Sequence, residues 1–347
     1  MNVLSRQNRA AGAVVGSAVG DALGAPFEFG AAGVYTARFP DGAGTMCGGG
    51  GWDPGEATDD TQMAVLVAES LLERGGPDLP DLFDRFRRWA AGEPKDIGLQ
   101  TEDVLTSGEP WDVAAARHFQ INGRAAGNGS LMRAATSAVY FARPEPAKRT
   151  ADAARTEDTA RAQDITRAQD TARVVTMDAA RRIAALTHGD RAAWEGTAVL
   201  HELIRTALDG TDPLTAVQDA LASVHADHRE RWATVLAPDW HPDAATEFNG
   251  AVWPCLGTAL WALRTTRSYE SALATAIDVG GDTDTVAAVT GALAGAAYGF
   301  DAIPSRWTGP LHVPLPGYGG RVLRTPDLVT LARRLDDHRT DAIRTDS

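Results

Sequence analysis

The chain has 347 residues, of which 44% are hydrophobic, and a formal net charge of -13. That is enough apolar material for a sizeable core, in one large domain or two ordinary ones. The acidic balance, with no long Lys/Arg cluster, argues against a nucleic-acid-binding face. The abundance of Ala, Leu, Arg and Glu, with little alternation of apolar and polar residues, favours helices over strands.

In chain order, residues 8–24 read as the first helix, stopped by Gly24, Ala25 and Pro26. Arg6 and Arg9 ahead of an apolar run give it a superficial likeness to a signal peptide. Gly12, Gly16 and Gly20 interrupt the run and Asp21 follows it, so a tightly packed small-residue helix is the better reading. No stretch of about 18 uninterrupted apolar residues exists, and no membrane span is expected. Residues 30–57 read as loop. Thr58-Asp59-Asp60 then opens a helix with Met63, Leu66, Val67 and Leu71 on one face. Further helices are expected over 78–92 and 113–122. Around 147–172 the units Ala154-Arg-Thr-Glu-Asp-Thr, Ala160-Arg-Ala-Gln-Asp-Ile and Thr166-Arg-Ala-Gln-Asp-Thr repeat every six residues. That period gives no continuous helical face and carries little apolar bulk, so the segment reads as a low-complexity insertion, either disordered or a solvated helix. Helices follow at 178–187, 193–209, 214–226, 248–262, 269–279, 284–298 and 326–338, with a Pro- and Gly-rich stretch at 303–320. No convincing strand pair is found. The expectation is one all-α domain over residues 1–340.

Cys47 and Cys255 lie in no CxxC pair and cannot make a disulfide framework, so both read as small apolar residues in a reducing cytoplasm.

Two acidic clusters carry the chemistry. Thr58-Asp59-Asp60 and Asp282-Thr283-Asp284-Thr285 are far apart in sequence, and each follows a Gly-containing loop and opens a helix. Carboxylate and hydroxyl oxygens suit hard cations such as Mg²⁺ or Mn²⁺, and the absence of His and Cys argues against zinc. Four converging carboxylates would repel one another, and two divalent cations would neutralise them. The structural alternative is helix capping, with Asp59 and Gln62 resembling a capping box. A prenyl-diphosphate enzyme would need a third Asp where Met63 stands. A third feature, Gly127-Asn128-Gly129-Ser130-Leu131-Met132-Arg133, is a Gly-rich turn leading into a helix, which can present backbone N–H groups to phosphate oxygens. Trp253 reads as a core aromatic, with lining of a cleft as the alternative.

Together these residues resemble the ADP-ribosylglycohydrolase family. Gly20-Asp21-Ala22-Leu23-Gly24-Ala25-Pro26-Phe27-Glu28-Phe29 is similar to its opening motif and Thr58-Asp59-Asp60-Thr61 to its first metal motif. Asn128-Gly129-Ser130-Leu131-Met132-Arg133 is similar to the middle motif, and Gly280-Gly281-Asp282-Thr283-Asp284-Thr285-Val286-Ala287-Ala288 to the second metal motif. The four occur in family order over roughly residues 8–308. The resemblance implies a compact all-α domain with a binuclear Mg²⁺ or Mn²⁺ centre, held by Thr58, Asp59, Asp60, Asp282, Asp284 and Thr285, with Thr283 turned away. It implies hydrolysis of the C1″ bond of ADP-ribose attached to a protein side chain or small acceptor. Asp60, Asp284 and Glu28 would be catalytic, and Gly127, Asn128, Gly129, Ser130 and His188 would contact substrate. A monomer is expected. A catalytically lapsed ADP-ribose-binding module and a hydrolase of small ADP-ribose esters remain the alternatives. The insertion departs from the family pattern and bears on specificity, leaving the metal motifs intact.

Overall fold

The structure, a computed structural model, describes residues 4–40, 42, 44–143 and 157–338, with side chains described outside 157–168. Among the described residues there are sixteen α-helices and one short hairpin, so the all-α expectation holds. The first helix, α1 (Arg6–Gly24), is followed by a 3-10 turn (Ala25–Phe27) and the short α2 (Val34–Arg38), which lies inside the stretch expected to be loop. Next come α3 (Asp59–Arg74), α4 (Leu79–Ala90), α5 (Leu99–Thr106), α6 (Ala114–Asn122) and α7 (Ala134–Phe141). The second half holds α8 (Glu157–Ala184), α9 (Arg191–Leu208), α10 (Val217–Ala222), α11 (Ala226–Val235), α12 (Val252–Thr265), α13 (Tyr269–Ile277), α14 (Thr283–Tyr298), α15 (Ser305–Thr308) and α16 (Thr325–Asp337).

The centre of the body is the pair α1 and α14. Each is buried along most of its length, and they run antiparallel in near backbone contact. The cause is a four-residue glycine spacing on α1. A Cβ at Gly12 would overlap the Gly295 carbonyl, and one at Gly20 would overlap the Ala287 carbonyl. Helices normally stay 8–10 Å apart because side chains intervene. With none here, the end of α1 that carries Asp21 lies directly beside the start of α14, where Asp282 and Asp284 stand. By length and composition α1 passes as a membrane span, yet its residues are packed inside the protein, as expected for a core helix.

Around this pair, α12 and α13 pack on α14, α16 packs on α1, and α9 is buried on nearly every face between α7, α8 and α14. The latter part of the six-residue repeat is helical. It forms the first half of α8 and runs unbroken into the helix expected at 178–187, while residues 147–156 of the insertion lie outside the described residues. From Ala172 onward α8 has a buried face (Ala172, Thr176, Ala179, Ala180, Ile183). Arg173 and Arg181 pin it to Glu202 and Glu195 of α9 at 3.1 and 2.7 Å.

The expectation of no strand pair needs one correction. β1 (His312–Pro314) pairs antiparallel with β2 (Val322–Arg324), in the register Val313↔Leu323. Three residues per strand are too few to leave an alternating pattern in the sequence.

Candidate active site

The first cluster opens α3. The helix is capped by Thr58, whose hydroxyl accepts from the Asp60 N–H at 3.3 Å. Asp59 and Asp60 therefore sit inside the first turn and do no capping. The capping box of Asp59 with Gln62, the structural alternative, does not form: Thr58 is the N-cap, and Gln62 accepts from the Trp89 indole N–H at 2.8 Å. At the second cluster Asp282 occupies the N-cap position of α14, and its Oδ2 accepts from Asn128 Nδ2 at 2.9 Å. The two helix starts meet. Thr285 donates through its hydroxyl to Asp60 Oδ1 at 3.3 Å, and Thr283 turns away to donate to the Gly24 carbonyl at 2.9 Å. Two helix N-termini thus point their partial positive charge at the same cluster.

Glu28 joins from the turn that ends α1. Its carboxylate and those of Asp282 and Asp284 lie within 4.8 Å of one another. Burial raises all of these acids. Glu28 is pushed up to about 8 by burial and then by Asp96, Asp282 and Asp21. Asp59, Asp60 and Asp284 are held well above the ordinary carboxylate value by burial first and then by neighbouring carboxylates, led by Asp96 on Asp59, Asp21 on Asp60 and Asp282 on Asp284. Asp282 is also raised by burial, with Asn128 working against the rise. Two oxygens in the cluster, Asp60 Oδ2 and Asp284 Oδ1, are buried and have no hydrogen-bond partner. A buried carboxylate oxygen without a donor is costly, and an all-oxygen set of this kind fits a hard divalent cation. The residues present therefore fit the metal that the sequence motifs imply.

Two acidic residues here were given no site role in the sequence, although Asp21 lies in the opening motif. Asp21 is buried beneath α3. It accepts from the Thr58 N–H at 3.0 Å, the Thr61 N–H at 3.1 Å and the Thr61 hydroxyl. Burial lifts it to about 6 against those bonds. It ties α1 to the opening turn of α3. Asp96, half-buried, is the leading charge acting on both Glu28 and Asp59 after burial. A lone Asp between Lys95 and Ile97 carries no signal that a motif search could find.

The Gly127–Ser130 turn forms one wall. It pairs with Ala251, and the Asn128 N–H donates to the Gly250 carbonyl at 2.9 Å. The Asn128 amide also donates to the Asn249 carbonyl at 3.2 Å, so its side chain is committed to the protein. The Ser130 hydroxyl is buried toward Ala193 and Thr197 of α9. What the turn can offer a ligand is its backbone. His188 is buried behind it. A Cβ at Gly129 would come within 3.1 Å of the imidazole, so the ring backs the turn and does not face open space. Burial, and then Arg133, keep His188 well below its ordinary value, hence neutral. Trp253 packs against the core beneath the Arg231 guanidinium, 3.3 Å from the ring centre, as the core reading expects.

At the mouth, Phe29 and Phe248 stack on each other with ring centres 6.2 Å apart, both largely exposed. Phe29 has φ +58, a left-handed conformation that costs a non-glycine residue about 1–2 kcal/mol. Its N–H donates to the Gly281 carbonyl at 2.6 Å, and Gly281 donates back to Gly30 at 3.0 Å. These bonds hold the aromatic pair beside Glu28 and Asp282.

Comparison with known proteins gives the class first. A solved structure of an ADP-ribosylglycohydrolase-related protein complex shares the fold, with TM-score 0.68 and 31% identity over 96% of this chain and 99% of that one. The family model for ADP-ribosylglycohydrolase matches residues 2–343, and the chain belongs to that family, a family of glycosyl hydrolases. Among curated proteins it is similar to the ADP-ribosyl-[dinitrogen reductase] glycohydrolase of Rhodospirillum rubrum, 28% identical over 89% of this chain and 92% of that protein. It is 27% identical to the ADP-ribosylarginine hydrolase Tri1 of Pseudomonas putida, over 86% of this chain and 73% of that protein. It is 24% identical to the chicken (Gallus gallus) ADP-ribosylhydrolase ARH3, over 85% of this chain and 87% of that protein.

Proposed function

We propose that this enzyme hydrolyses the C1″ bond joining ADP-ribose to a protein side chain or small acceptor, and that it does so with two Mg²⁺ or Mn²⁺ ions. The observation that carries the metal reading is the pair of buried, unpartnered oxygens, Asp60 Oδ2 and Asp284 Oδ1, inside a cluster of raised carboxylates. The ligands would be Thr58, Asp59, Asp60, Asp282, Asp284 and Thr285. Bound there, the ions would supply positive charge to orient the ribose hydroxyls and to make a water more acidic.

The remaining chemistry belongs to the side chains. Glu28 stands beside Asp282 and Asp284, and burial raises it to about 8 in the metal-free cluster. As an acid it can donate a proton to the leaving group as the C1″ bond breaks. Asp284 takes the proton released as the water oxygen bonds to C1″. The backbone of the Gly127–Ser130 turn holds the diphosphate, whose binding energy orients the reacting carbon. Neutral His188 keeps that turn in shape from behind. The stacked Phe29–Phe248 pair offers a face for a planar portion of the substrate. One hydrophobic cluster running from Ala10 to Leu335 supports a single working unit over residues 1–340. The unpaired thiols of Cys47 and Cys255 are in keeping with a cytoplasmic setting.

The test is release of free ADP-ribose from arginine-, serine- and acyl-linked substrates, with Mg²⁺, Mn²⁺ or chelator. Metal-dependent release from one linkage is expected. Asp60→Ala and Asp284→Ala should each lower turnover by at least about 100-fold while the helical circular dichroism is retained. Full activity in both variants, or in chelator, would refute the mechanism.

A further inference from the structure

The second metal motif is entered through two left-handed glycines. Gly280 and Gly281 both have φ +77, and Gly281 is bridged to Phe29 and Gly30 by its backbone, which leaves the Asp282 N–H and the Gly280 carbonyl to be met by a side chain. One side chain from elsewhere spans that turn. Asn249 accepts from the Asp282 N–H through Oδ1 at 2.9 Å and donates from Nδ2 to the Gly280 carbonyl at 2.8 Å. A single planar amide thus brackets Gly281, and the fit is close. A Cβ at Gly281 would overlap Asn249 Oδ1, which is a reason for glycine there besides φ. The carboxylate end of Asp282 is held in turn by Asn128 Nδ2 at 2.9 Å, and the same nitrogen donates to the Asn249 backbone carbonyl at 3.2 Å. Backbone and carboxylate of one proposed ligand are therefore held by two asparagines that also hold each other.

We propose that Asn249 is a positioning residue: it sets the place of Asp282 for cation binding and links that ligand, through Asn128, to the Gly127–Ser130 turn. The inference rests on the metal reading given above. An Asp could keep the acceptor for the Asp282 N–H but would turn a lone pair on the Gly280 carbonyl. A Gln would need a methylene's room that the contact with Gly281 denies. Only an asparagine amide presents donor and acceptor at this reach. Outer partners of metal ligands typically tune affinity by about 10–100-fold.

The experiment is a Mn²⁺ titration of full-length protein, with free Mn²⁺ read by electron paramagnetic resonance, alongside thermal melting in chelator. Asn249→Ala should weaken Mn²⁺ binding by about 10–100-fold while the melting temperature in chelator stays near that of wild type. Asn128→Ala should also weaken it. The double variant should lose less than the product of the two single losses, since both residues act on Asp282. Asn249→Ser serves the same comparison if the alanine form does not fold. Wild-type affinity in Asn249→Ala, or a lowered melting temperature with unchanged affinity, would overturn the proposal and leave the metal reading standing. Absence of Mn²⁺ binding by wild type would overturn the metal reading itself, and this proposal with it.

Discussion

Asp21 shows what a single residue can do without touching a ligand. Its carboxylate gathers two N–H groups and one hydroxyl from the first turn of α3, the turn that presents Asp59 and Asp60. An amide in its place offers one acceptor and brings donors up against donors. Asp21→Asn should therefore lower the unfolding free energy by about 1–3 kcal/mol and reduce turnover as well, since the ligands move with the turn. Urea unfolding and steady-state rates check both, and an unchanged midpoint would remove Asp21 from this role. The sequence made the six proposed metal ligands legible because dense Thr/Asp groupings at helix starts are unusual enough to notice. Asp21, Asp96 and Asn249 were not legible as site residues. Asp21 and Asn249 are ordinary polar residues that bond to groups 31 to 40 residues away, and Asp96 acts on Glu28 and Asp59 from a different stretch of the chain. His188 was noticed for its chemistry, but its burial behind the turn depends on how α9 and the middle motif pack, which spacing alone does not give.

At the scale of elements, the glycine spacing of α1 was read correctly as a sign of close packing, and its partner was the other small-residue helix, α14. The geometry makes a sharp demand. Gly20→Ala adds one methyl where the Ala287 carbonyl already sits. The cost should be at least the 1–3 kcal/mol or so typical of overpacking. Because α1 and α14 carry Asp21 and Asp284 at the same end, turnover should fall with stability. Gly76, where nothing lies within 4 Å of a new Cβ, is the control. Equal melting temperatures for Gly20→Ala and Gly76→Ala would contradict the close approach. Among the elements the sequence missed, α2, α5, α15 and the β1–β2 hairpin are each eight residues or shorter, too short for periodicity to register. The ten-residue α11 was missed for another reason: it buries Trp232 alone and so shows no apolar face. The repeat was left open between disorder and helix because its side chains carry no face. Where it is described it is helix, continuing from residues that do have a face.

For the molecule as a whole, the acidic cluster couples folding to protons. Asp21 at about 6 and Glu28 at about 8 lie above their unfolded values of 3.8 and 4.5, and Asp59, Asp60 and Asp284 are displaced the same way. An acid whose folded value is raised binds more protons folded than unfolded, so stability falls as pH rises. Metal-free protein should accordingly lose stability progressively from about pH 4 to pH 8, and added Mn²⁺ should restore it at the upper end by neutralising the ionised cluster. Binding at pH 7 should also release protons, because the proposed ligands Asp59, Asp60 and Asp284 are raised well above the ordinary carboxylate value beforehand. Melting curves with and without chelator across pH, and calorimetry in buffers of different ionisation enthalpy, measure both effects. A flat metal-free profile would show that the cluster is less buried than described.

The pairing of α1 with α14 also sets a schedule for the ribosome. The first long helix emerges early, apolar and glycine-rich, and the surface that covers it is translated about 260 residues later, on the order of tens of seconds at ordinary elongation rates. During that interval α1 lacks its main partner, and its glycines weaken it as an isolated helix. The cleft is therefore among the last features to form, completed only when α14 docks, and a nascent chain stalled before residue 283 carries its first acidic cluster with nothing to close it.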